Sequence, residues 1–158
     1  MVNINTKTIT RIAAVQGIYY YQTQATKLTP NSLIQFISSY YKDAESLQDL
    51  NLSTITPFKL QTNYLSSLIK NTIENLEEID FLISSYLATG WKVTDLHLTL
   101  LAILRIAICE LKFFLNTPHK VIINEFTNIA NDLAKANEVG FVNSLLEKAS
   151  LKIRKNPQ

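Results

Sequence analysis

The side chains able to do acid–base, nucleophilic or metal chemistry are few and poorly spaced for it. Glu77, Glu78 and Asp80 form an acidic cluster that offers paired carboxylates for proton transfer. On a helix, however, they fall on different azimuths, so a solvated face is expected. His97, Cys109 and His119 are the main soft metal ligands, and neither their number nor their spacing matches a closed or a catalytic zinc site. Gly17, Gly90 and Gly140 stand alone, so the chain has no glycine-rich loop to cradle a phosphate. Arg105 and Glu110 sit within the apolar stretch 96–115, where a charge needs a partner. A structural ion pair or hydrogen-bond network is expected there, with Glu125 of the following helix as a candidate member. The chemistry-bearing residues thus predict no catalytic centre, no metal and no cofactor.

The elements that must position these residues read as helices. Three glycines and four prolines are spread thinly over 158 residues, and apolar residues recur at spacings of three and four. A first helix is expected over about residues 6–24, apolar around much of its circumference through Ile12, Val15, Ile18 and Tyr19. Pro30 and Asn31 start a second, with Leu33, Ile34, Ile37, Tyr40, Tyr41 and Ala44 as its stripe. Pro57 opens a third that turns Leu60, Tyr64, Leu65, Leu68 and Ile69 inward. Ile79, Leu82, Ile83 and Tyr86 carry a fourth towards Gly90, placed as its C-terminal stop. Thr94 or Asp95 caps the fifth, LHLTLLAILRIAICELKFFL, which is apolar on nearly every side and so belongs at the middle of the molecule. Thr117 and Pro118 supply an N-cap and first-turn proline for the sixth. The seventh presents Phe141, Val142, Leu145, Leu146 and Ala149 on one side and Lys148, Lys152 and Lys155 on another. The expected fold is all-α, about seven helices in two small packed bundles. One domain is expected, with subdomains of about residues 1–90 and 91–158.

Composition narrows the setting. The length is sufficient to enclose a hydrophobic core without disulfide or metal support. A lone cysteine forms no internal disulfide, which points to a reducing, cytoplasmic compartment, and Cys109 is expected to fill core. The N-terminus lacks a secretory pattern. The stretch 96–115 approaches membrane-span length but carries His97, Arg105, Glu110 and Lys112, so a buried helix is expected and no membrane partner. A formal net charge of +2 neither demands nor excludes a nucleic-acid partner.

Four ordered blocks carry a specific pattern: RIAAVQGIYYYQ near the start, then LAILRIAICEL, TPHKVIINE and FVNSLLEK. Each alone is weak, but in this order and at this spacing they resemble the NusB family. The resemblance implies a fold of two small helical subdomains and a non-catalytic function in transcription antitermination. It further implies as partners the boxA element of nascent ribosomal RNA transcripts, the ribosomal protein NusE, and the RNA polymerase antitermination complex.

The same resemblance implies the site. The family grips RNA phosphates with a basic N-terminal segment, through contacts that salt weakens. Lys7 and Arg11 occupy matching positions one turn apart, while Thr8 and Ile9 stand where further basic residues are frequent. Gln16 and Tyr19 match polar and aromatic positions where an amide reads a base edge and a ring stacks on an unpaired base. For Tyr19, packing in the core is an equal alternative. Lys120, Asn137 and Phe141 correspond to regions near the RNA and partner surface, Asn137 replacing a typically acidic residue beside Glu138. Periodicity alone makes Phe141 core. Arg105, Glu110, Asn124, Glu125 and Asn143 are expected to form a structural polar network that holds the site without touching RNA. Lys148, Lys152, Arg154 and Lys155 are read as a solubilising tail.

Two other function classes stay open at this level. NusB-like domains also precede the methyltransferase domain of certain ribosomal RNA cytosine methylases, but this chain reaches Gln158 without an S-adenosylmethionine loop. A helical adaptor binding protein alone is the other, and the free chain is either a monomer or a homodimer.

Overall fold

A computed structural model describes the backbone of residues 5–50 and 59–155, and side chains within these stretches except at 44–50. Among the described residues there are seven α-helices and no strand: α1 (Thr6–Thr23), α2 (Pro30–Leu50), α3 (Thr62–Glu74), α4 (Leu76–Ser84), α5 (Leu98–Phe113), α6 (His119–Leu133) and α7 (Ala136–Ile153). The expected all-α class with seven helices is therefore what forms. Pro57 and the side chain of Ala44 lie outside the described residues. The chain divides into two compact units, Met1–Lys70 and Asn71–Gln158, a division upstream of the one near residue 90 expected from the sequence.

In the first unit, Asn5 caps α1, its side chain accepting from the Lys7 N–H at 2.8 Å. Thr29 does the same for α2, accepting from the Ser32 N–H at 3.1 Å just before Pro30, whose missing N–H costs nothing in a first turn. Ala13, Ala14, Val15 and Ile18 of α1 are buried, as are Leu33 and Ile37 of α2 and Leu65, Leu68 and Ile69 of α3. Gly17 lets α1 lie close: a Cβ there would stand 3.1 Å from Ile37 Cγ1 and 3.3 Å from Ile69 Cδ1.

The second unit is organised by α5, in which every residue from 100 to 111 is buried, and which packs against α4, α6 and α7. A helix apolar on all sides loses water on all sides only when other helices surround it, and α5 is buried as the sequence predicts, at the centre of this unit. Cys109 is fully buried, and burial pushes its thiol up to about 12, so it is inert core. Val142, Leu145, Leu146 and Ala149 of α7 are buried, whereas Phe141 is only partly covered.

Three expected helix ends differ. Asp95 caps a short 3-10 turn at Val93–Asp95, accepting from the Lys92 N–H at 2.8 Å, and α5 begins three residues later with His97 at its N-cap. Pro118, not Thr117, is the N-cap residue of α6. Gly90 is a turn residue six positions past α4: with φ +90° it follows Thr89 in a turn closed by Trp91 N–H to Ala88 O at 3.0 Å.

Candidate nucleic-acid interface

On α1 the first turns place Lys7 and Arg11 one turn apart, and both converge on one tyrosine. Lys7 Nζ lies 5.5 Å and Arg11 Cζ 5.8 Å from the centre of the Tyr64 ring, and Arg11 Nη2 donates to Tyr64 Oη at 3.3 Å. Their environments diverge sharply. Lys7 is exposed, but Arg11 is 2 % exposed, so its guanidinium fastens α1 to α3. The expectation that Arg11 grips phosphate is corrected on this ground: a guanidinium almost wholly shielded from water, and bonded to a half-buried tyrosine, is not open to a ligand. Tyr64, read from the sequence as an inward residue, is the aromatic plate on which both cations rest.

Gln16 and Tyr19 both face solvent on a helix otherwise largely buried, Tyr19 at 42 % exposure. Core packing, the alternative for Tyr19, is thereby removed. The neighbouring Tyr20 stacks on Phe36 of α2 with ring centres 4.5 Å apart. Tyr41 of α2 donates its phenol hydrogen to Gln16 Oε1. This bond joins α1 to α2 and was not legible in the sequence, since nothing in a tyrosine pair says which ring turns inward. Tyr41 is buried, while Tyr40 beside it is exposed and meets it edge-on at 5.6 Å. Burial, with the neighbouring Tyr40 phenol adding to it, pushes the Tyr41 hydroxyl up to about 12, so it remains a donor through the neutral range.

In the second unit the sequence-predicted Asn137 and Phe141 come together. Both line a concavity of about 330 Å3 whose other walls include Trp91, Leu96, His97 and Glu138. His97 Nδ1 lies 2.6 Å from Glu138 Oε2, and Lys135 Nζ lies 3.4 Å from the ring's other nitrogen. Glu138 also accepts from the Lys135 N–H at 3.0 Å, which caps the start of α7. Burial by itself raises the Glu138 carboxyl, but hydrogen bonds from His97 and the Lys135 N–H, with the charges of both side chains, bring it below its ordinary range. Trp91 is exposed, so the recess offers an aromatic wall and a polar rim, a surface suited to a planar polar group. Lys120 is exposed in the first turn of α6.

The expected polar network resolves differently for each member. Arg105 binds Asp80 through two parallel bonds, Nε to Oδ1 at 2.9 Å and Nη2 to Oδ2 at 2.8 Å. Asp80 is therefore not part of a solvated acidic face, although Glu77 and Glu78 are exposed and Lys112 pairs with Glu78. Glu110 is fully buried. Asn143 accepts from the Thr127 hydroxyl at 3.2 Å. Glu125 is partly covered, while Asn124 is solvent-exposed and does not belong to a buried network. Arg154, expected in a solubilising tail, donates to three carbonyls, those of Leu111 (3.1 Å), Phe114 (2.9 Å) and Thr117 (2.6 Å). It closes the end of α5 onto the turn before α6. Burial lowers the Arg154 guanidinium, and the Glu110 carboxylate acts in the opposite direction. Among the described residues no group of three or more His, Cys, Asp or Glu could hold a metal ion, and no helix is long and apolar enough to cross a membrane.

The model of the NusB family matches residues 8–150, a stretch that contains all four sequence blocks. The chain belongs to the NusB family. It is 40 % identical over 148 residues to the transcription antitermination protein NusB of Rickettsia bellii (strain OSU 85-389), covering 92 % of this chain and 90 % of that one. It is equally 40 % identical over 147 residues to the namesake of Rickettsia massiliae (strain Mtu5), covering 92 % and 91 %. Among solved structures, T. maritima NusB aligns with a TM-score of 0.76 at 22 % identity, covering 97 % of this chain and 96 % of that one. NusB-family likeness extends to a crystal structure of antitermination factors NusB and NusE in complex with dsRNA, with a TM-score of 0.68 at 16 % identity and coverage of 95 % and 99 %. At these identities the structural likeness establishes the shared fold.

Proposed function

We propose that this protein is a non-catalytic, cytoplasmic RNA-binding adaptor in transcription antitermination. It engages the boxA element of nascent ribosomal RNA transcripts together with ribosomal protein NusE, as part of an RNA polymerase complex. The observation that carries this reading is the outward placement of Gln16 and Tyr19 on α1, the helix whose sequence block matches the family. A helix that buries Ala13, Ala14, Val15 and Ile18 yet leaves an amide and a phenol ring in solvent keeps base-reading and base-stacking groups available. Asn137 and Phe141 at their recess, and Lys120 on α6, supply further candidate contacts in the second unit.

With Arg11 buried, Lys7 is the open cation of the expected N-terminal pair. Electrostatic grip from that segment is correspondingly thin, and tight capture of RNA is expected to depend on NusE. Fluorescence titration of boxA RNA against a scrambled RNA, with and without NusE, tests the reading. Preference for boxA that strengthens with NusE supports it. Equal affinity for both RNAs in both conditions overturns it and leaves a protein-only adaptor. Lys7→Ala is expected to weaken binding to every sequence alike and to reduce the salt slope by about one.

A further inference from the structure

The hydrogen bond between Tyr41 and Gln16 gives the exposed amide a direction. An amide has a carbonyl that accepts and an NH2 that donates, and rotation by half a turn exchanges them. Free in solvent, Gln16 could present either edge to a base. Its Oε1 instead accepts the Tyr41 phenol hydrogen. What the amide then has to offer a ligand is chiefly its two Nε2 hydrogens.

Resting on the RNA-binding reading above, we propose that Tyr41 is a positioning residue that sets base specificity: it holds the Gln16 amide with its donor edge outward, so that α1 selects a base edge presenting an acceptor. Tyr41 does not touch RNA in this arrangement, since its ring is buried at 8 % exposure, while Gln16 is exposed. The ring itself is held by the edge-on contact of Tyr40, 5.6 Å away at 72°. The hydroxyl, pushed up to about 12 by burial, keeps its hydrogen across the neutral range, so the orientation does not switch with modest changes of pH.

Two variants separate the pieces. Tyr41→Phe keeps the ring and its packing but removes the hydrogen; Gln16→Glu keeps the bond to Tyr41 but replaces the outward donors with an acceptor. Both are titrated with boxA RNA and with a panel of the same RNA in which single base acceptors are removed or weakened by 7-deazapurine or 4-thiouridine. For the unaltered protein, one analogue is expected to weaken binding about tenfold, the size of one well-placed hydrogen bond. Tyr41→Phe should shrink that difference to about twofold with an unchanged salt slope. Gln16→Glu should abolish it and weaken binding of the unmodified RNA. Full discrimination retained in Tyr41→Phe overturns the proposal while leaving RNA binding intact. Failure of the unaltered protein to bind boxA RNA overturns the RNA-binding reading itself. In the free protein, NMR contacts place either Oε1 or the Nε2 hydrogens of Gln16 against the Tyr41 hydroxyl. The carbonyl is expected there, and Nε2 donating to the phenol oxygen would overturn the orientation without reference to any RNA.

Discussion

Arg105 and Asp80 form a forked pair, two parallel bonds of 2.9 and 2.8 Å between residues 25 positions apart. The guanidinium comes from the middle of the buried helix α5, the carboxylate from α4. Arg105 retains 10 % side-chain exposure and Asp80 23 %, so the pair is largely shielded from water. Asp80→Asn is expected to lower the unfolding free energy by about 1–3 kcal/mol, the cost of weakening two charge-assisted bonds in a covered site. Urea denaturation at neutral pH measures it; a change near zero would mean that Arg105 is satisfied without Asp80.

Arg154 acts as a staple of three carbonyls at the end of α5. Leu111 lies in the last turn of α5, whose carbonyls lack intrahelical partners, Phe114 is the C-cap, and Thr117 lies in the turn before α6. A lysine ammonium is a compact point charge and does not reproduce the planar fork. Arg154→Lys should therefore destabilise by about 1–3 kcal/mol despite conserving charge, and amide hydrogen exchange should rise first around Phe114 and Thr117. Equal protection in both proteins would reduce Arg154 to the solubilising role its place near the C-terminus first implied.

Gly17 sets how near α1 comes to Ile37 and Ile69. Gly17→Ala gains helix propensity of about 1 kcal/mol and meets Ile37 Cγ1 at 3.1 Å, so the two effects oppose and the net change is expected within about 1 kcal/mol. Gly17→Leu has no such balance and should destabilise by about 1–3 kcal/mol. Thermal denaturation of the pair checks both, and a stable leucine variant would show that the α1 contact opens freely.

Glu138 is bound by His97 and by the Lys135 N–H, and its carboxyl lies below its ordinary range. A carboxyl lowered in the folded state contributes stability that is present above its unfolded value, about 4.3. That contribution is lost as pH falls through the lower folded value. Glu138→Gln should accordingly be less stable than the unaltered protein at pH 7, and the gap should narrow towards pH 3. A gap that stays constant with pH would assign the effect to packing of the side chain and not to its charge.

The periodicity of apolar residues determined the helices and the depth of α5, because burial of a helix follows from how much of its circumference is apolar. The resemblance to the family was carried separately, by four blocks whose residues and order are a property of the chain alone. Which polar residues meet was not determined there. Arg105 finds Asp80, and Arg154 reaches back to the end of α5, across separations of 25 to 43 residues that no local spacing encodes. The same limit governed the candidate site. Lys7 and Arg11 look equivalent one turn apart, and only the position of Tyr64 makes one a buried fastener while the other stays open. Tyr19 was balanced between core and surface, because a phenol is compatible with both, and packing of α1 decided for the surface. Gln16 was legible as a polar residue on an apolar helix; the direction of its amide came from Tyr41, a residue of another helix. The sequence by itself thus determined the helical scaffold and the kind of chemistry available. The tertiary structure decided which charges are spent inside and which remain open, because desolvation and hydrogen-bond partners are set by neighbours distant in the chain.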